Sequence, residues 1–111
     1  MPDAFVWFHN GTKKPAESVS FYEQLLGWKP ASGPDGMTLF AGAKGPFAAV
    51  GDEQGIGGWI PYAQVTDLAA ATQKATKLGA KVIQSQKRGP AGDFTVLRDP
   101  GGATLALWQK L

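Results

Sequence analysis

A chain of 111 residues has room for one compact domain with its own core and little room for a second. Hydrophobic residues at 43% and charged residues at 18% are ordinary globular proportions, which excludes the disordered and fibrous classes. The net charge of +2 is spread along the chain without a basic block, so nothing points to nucleic acid, and the lack of cysteine excludes disulfides, thiolate metal sites and thiol catalysis. No apolar run approaches the ~18 residues that span a bilayer, and no charged N-terminal region precedes an apolar signal core. The expectation is a cytoplasmic protein with no membrane partner.

The first predicted element is a strand over residues 4–9, which ends at His9, the one histidine of the chain. Lys13 and Lys14 follow, and Pro15 suits the first turn of a helix in which Val19, Tyr22, Leu25 and Leu26 recur at three- and four-residue steps until Gly27. Phe21 and Tyr22 are expected to pack this helix onto a sheet, with Trp28 as a packing residue behind it. A weak strand after Gly27 precedes strands at 37–41 and 46–50. "GIGG" at 55–58 is too short and wrongly placed for a dinucleotide loop and reads as a linker. The next strand covers 59–65. Asp67 then caps a second helix whose Leu68, Ala71, Ala75 and Leu78 fall on one face, ended by Gly79. Strands at 80–85, 93–98 and 103–108 complete the chain, the last two joined by a tight turn at Asp99-Pro100.

The two halves repeat one another. "LLGWKP" is echoed by "KLGAKV", "MTLF" by "FTVL", and "KGPFAAV" by "PGGATLALW". Each half reads strand, helix, then up to three strands, and the second copy is expected to complete a shared cavity or core. With "FYEQLLGW" in the first half, "YAQVTDLAAATQKATKLGAKV" in the middle and "FTVLRDPGGATLALW" near the end, nearly the whole chain resembles the vicinal oxygen chelate superfamily, the glyoxalase, bleomycin-resistance and extradiol-dioxygenase group. The resemblance implies an α+β fold of two tandem βαβββ modules whose curled mixed sheet surrounds a cavity, with helices outside. Residues 1–111 then form a single domain, with module one at 1–54, a linker at 55–58 and module two at 59–111. It also implies that the protein is a homodimer.

Metal-dependent members of the superfamily place ligands on the first and last strand of each module. Carried over by offset, those positions are Trp7, Ala48, Ile60 and Ala106. None can ligate a divalent ion, which needs three or four N or O donors. No metal and no cofactor are therefore expected. His9 lies on the same strand face as Trp7, but the acidic residues near strand ends, Asp52, Glu53, Asp93 and Asp99, sit mostly in Gly- or Pro-bearing loops. Ser20, Ser32 and Ser85 have no identifiable base. Strand alternation instead places Phe5, Trp7 and His9, then Ile60, Tyr62 and Gln64, then Thr104, Ala106 and Trp108 toward the cavity.

Such a surface suits a flat or amphipathic organic ligand, because rings supply apolar contact while Tyr and Trp keep a polar handle. The expected ligand contacts are Trp7, His9, Tyr62, Gln64 and Trp108. The first functional expectation is a metal-free small-molecule-binding protein, of the kind that drug-sequestering resistance members of the superfamily represent. The alternative is a small lyase, isomerase or dioxygenase-like enzyme, metal-independent with His9 as general base or assisted by Tyr62, or built on an unconventional metal site.

Overall fold

The computed structural model describes residues 5–52, 56–89 and 91–111. Three sequence expectations fall partly outside them: the strand start at Ala4, the carboxylate of Glu53 and the first linker glycine, Gly55. The chain forms two compact units, one of residues 7–60, the other of residues 61–111 with Phe5 and Val6. Among the described residues no helix is long and apolar enough to cross a membrane.

The first unit runs β1 (Trp7–Gly11), α1 (Pro15–Leu26), β2 (Lys29–Ser32), a 3-10 turn (Pro34–Gly36), β3 (Thr38–Gly42) and β4 (Gly45–Gly51). Its strands lie in the order β2-β3-β4-β1, antiparallel except for the parallel β1–β4 pair. The second unit takes most of β5 (Gly58–Gln64), then α2 (Leu68–Lys77), β6 (Lys81–Arg88), β7 (Gly92–Arg98) and β8 (Thr104–Lys110). It repeats the plan, β6-β7-β8-β5, with β5 and β8 parallel. This is an α+β fold of two βαβββ modules, and the repeat legible in the sequence is a repeat of topology. The strand after Gly27 is real, although all four of its residues are exposed.

Local chemistry explains the helix ends. Pro15 opens α1, where a missing N–H costs nothing, and Gly27 closes it in the left-handed conformation (φ 71°) while donating to the Glu23 carbonyl. Lys14 at the N-cap provides no side-chain acceptor. Asp67 does so for α2, accepting from the Ala70 N–H at 3.0 Å, a cap worth about 1 kcal/mol. The Gln109 side chain on β8 accepts from the Leu68 N–H at 2.7 Å, so the start of α2 is tied to its own sheet. Asp99 behaves as its sequence context requires, its carboxylate accepting from the Gly101 and Ala103 amides.

The core of the first unit is Phe40, Ala48 and Val50, packed by Val19, Tyr22, Trp28, Phe47 and Trp59. Tyr22 and Trp28 are packing residues, as expected. Three other apolar positions of α1 are not: Phe21, Leu25 and Leu26 are all at least half exposed. The periodic pattern names a face wider than the stripe this sheet covers, and only Val19 and Tyr22 join the core cluster from it. Leu78 is likewise exposed, because α2 ends at Lys77 and the chain turns away from the helix there.

Candidate functional site

Hydrogen-bond register fixes which side chains share a face, since directly paired residues point the same way. In the second unit, Thr95 on β7 meets Thr72 of α2 at 3.4 Å, so Thr95 and its partner Leu107 face the helix. The alternate residues face away: Phe94 pairs with Trp108, Val96 with Ala106, Tyr62 with Ala106 and Gln64 with Trp108. Tyr62, Gln64, Ala106 and Trp108 thus share the face opposite α2. Val96 and Ala106 are fully buried at its centre, and the Tyr62 ring stands 5.8 Å from Phe94 at 45°. Gln64 is exposed and Trp108 half-buried, the indole lying against Gly92. Phe94 was missed in the sequence; its pairing with Trp108 depends on the β7–β8 register, which no local pattern carries.

Trp7 and His9 belong to the first unit. His9 pairs with Ala49 and Phe8 with Ala48, so His9 and Trp7 point away from the face that carries Phe40, Ala48 and Val50 under α1. This corrects the offset for β4. Tyr62 pairs with Ala106 as His9 pairs with Ala49, so the position equivalent to Ala106 is Ala49, and Ala48 lies on the helix side. The sequence echo misaligned by one residue because a register shift at Phe40/Ala41 perturbs the start of β4. His9 is 3% exposed, and its ring and the Met37 side chain both lie beside Gly51. Phe5, expected to face a cavity, is 49% exposed.

The residues do not fit the divalent metal of the superfamily. Trp7, Ala49, Ile60 and Ala106 carry no side-chain donor, and among the described residues no three His, Cys, Asp or Glu side chains cluster. Asp93 pairs with Arg88 across the β6–β7 hairpin and Asp99 is engaged in its turn.

A glyoxalase-like domain model matches residues 6–108, almost the whole described fold. The chain belongs to the glyoxalase-like domain family. This glyoxalase-like domain is 29% identical to the anthracycline biosynthesis protein DnrV of Streptomyces peucetius, over 98% of this chain and 48% of that protein. It therefore spans about half the length of the curated relative. A glyoxalase/bleomycin resistance protein/dioxygenase superfamily member from Vibrio splendidus shares the fold, with TM-score 0.67 and 15% identity over 94% of this chain and 97% of that one. So does the methylmalonyl-CoA epimerase of Streptomyces coelicolor, with TM-score 0.64 and 14% identity over 99% of both chains.

Proposed function

We propose that this glyoxalase-like domain binds a small, flat or amphipathic organic molecule on the sheet face opposite α2, without a metal at the positions its superfamily uses. One observation carries the proposal: the β5–β8–β7 register lines that face with Tyr62, Phe94 and Trp108 around the small Ala106, with the Gln64 amide at the edge. Rings supply apolar contact and stacking, and Gln64, exposed at the edge, gives a donor and an acceptor that orient the ligand. Trp7 and His9 are the corresponding contacts proposed in the first unit.

The test is a screen of planar organic compounds by quenching of tryptophan fluorescence, repeated with Trp108→Ala. Loss of one ring contact is expected to weaken binding about tenfold, and prior addition of Zn²⁺, Ni²⁺ or Mn²⁺ to leave affinity unchanged. Unchanged affinity in Trp108→Ala, or binding that requires a metal, would overturn the proposal.

The proposal includes a homodimer. Phe21 and Leu25, one helical turn apart on α1, are 56% and 62% exposed, and covering them would remove apolar area from water. Sedimentation is expected to give twice the chain mass at micromolar concentration; a monomer there would remove this part of the reading.

A further inference from the structure

The first unit contains an aromatic groove on the α1 side of its sheet, a surface that the binding face proposed above does not use. It is lined by Phe8, Trp28, Phe47, Ala48 and Trp59 and holds about 250 Å³. Trp28 organises it. One face of the Trp28 ring stacks on Tyr22 at 5.4 Å and 17°, while Phe47 and Trp59 stand nearly perpendicular to it, at 4.9 and 6.2 Å. The register shift at Phe40/Ala41 brings Phe47 and Ala48, neighbours in sequence, to the same groove. Phe8 forms part of the wall and is 38% exposed, so the groove is open to an incoming molecule.

Chemistry narrows the occupant. The Trp59 indole N–H donates to the Tyr22 hydroxyl at 2.9 Å, so that donor is already engaged. None of the five lining side chains is charged and the surface they turn to the groove is apolar, so a charged or strongly hydrogen-bonding ligand would give up water and gain no partner. An apolar cavity of about 150 Å³ takes one benzene-sized ring, so this groove has space for one ring or two fused rings and not for a peptide segment. Perpendicular walls offer a flat ring edge-to-face contact on more than one side. We infer that the Phe8–Trp28–Phe47–Trp59 groove is a binding site for a neutral mono- or bicyclic aromatic molecule, separate from the Tyr62–Trp108 face.

The four tryptophans of the chain make the test direct, because each gives one indole N–H signal in a ¹⁵N-correlated spectrum, assignable by substitution. Toluene is the probe, with benzoate as the charged control and tert-butanol as the non-aromatic one. The expected result is saturable movement of the Trp28 and Trp59 signals with toluene, Trp7 and Trp108 staying in place, and neither control saturating. Phe8→Ala, at a partly exposed position, is expected to weaken toluene roughly fivefold, and Phe47→Leu, which keeps apolar bulk but loses the ring, to weaken it similarly. The inference is overturned by a lack of saturation up to the solubility of toluene, by shifts confined to Trp108, by equal binding of benzoate, or by unchanged affinity in both variants. Movement of the Trp28 and Trp59 signals with protein concentration alone would also overturn it, since a second copy would then cover the groove. Failure of the Tyr62–Trp108 proposal would leave these results unaffected, because the two sites report through different tryptophans.

Discussion

Gly92→Ala is expected to lower the stability of the domain by about 3 kcal/mol, a large share of what a chain of this size has. Gly92 is buried at the start of β7, paired with Lys110. A Cβ there would lie 2.2 Å from the Gln109 carbonyl oxygen and 2.7 Å from Trp108 Nε1. The first clash is with backbone, so no rotamer change relieves it and the end of β8 must move. That movement reaches two further groups, since Gln109 holds the Leu68 amide at the start of α2 and Trp108 lines the proposed binding face. Urea denaturation of the variant reads the loss as a fall in midpoint. Gly57→Ala is the control, because a Cβ at Gly57 meets nothing within 4 Å, and its midpoint should hold. A Gly92→Ala midpoint equal to the parent's would mean that β8 yields at no cost and that the packing of Trp108 on Gly92 is not tight.

Phe40→Ala should cost about 4 kcal/mol. Phe40 is fully buried on β3, its ring 5.4 Å from Trp28 and 6.2 Å from Tyr22, so it sits under both aromatic residues that fix α1 to the sheet. Truncation removes transfer energy and leaves a cavity that the surrounding rings, held by edge contacts, fill only in part. Phe21→Ala provides the contrast. Phe21 is 56% exposed, and at concentrations too low for dimerisation its replacement is expected to change stability by no more than about 0.5 kcal/mol. Similar losses for Phe40→Ala and Phe21→Ala would contradict the assignment of the buried helix face.

Much of the candidate face was legible in alternation along single strands. The spacing within "WIPYAQ" and "ATLALW" places Tyr62, Gln64, Ala106 and Trp108 on one face of their strands, and register puts those faces side by side. The first module was harder. Its final strand was read through the echo of the second, and one shifted pairing at Phe40/Ala41 moved the equivalent position from Ala48 to Ala49. The chemical conclusion survives only because both residues are alanine.

Periodicity and end signals are local, so the chain spells out its own elements: Pro15 and Gly27 around α1, Asp67 before α2, the Asp99 turn before β8, and the order of strands and helices in both halves. Composition, likewise, is enough to show that imidazole is available at one position only and thiolate at none. Burial is not local. Leu25, Leu26 and Phe21 continue an apolar helical pattern yet stay exposed, because the breadth of sheet beneath α1 is set by how β1 to β4 pair and not by the sequence of the helix itself. Trp59 reads as the start of the second module and nonetheless packs with Tyr22 of the first, its N–H donating to the Tyr22 hydroxyl. The aromatic groove around Trp28 arises from residues on β1, β4, β5 and the link between α1 and β2, whose proximity depends on strand order and one bulge. Pairing register and side-chain contact between distant segments are properties of the folded chain, and it is these that decide which of its many rings become core, which line the face opposite α2 and which line the groove.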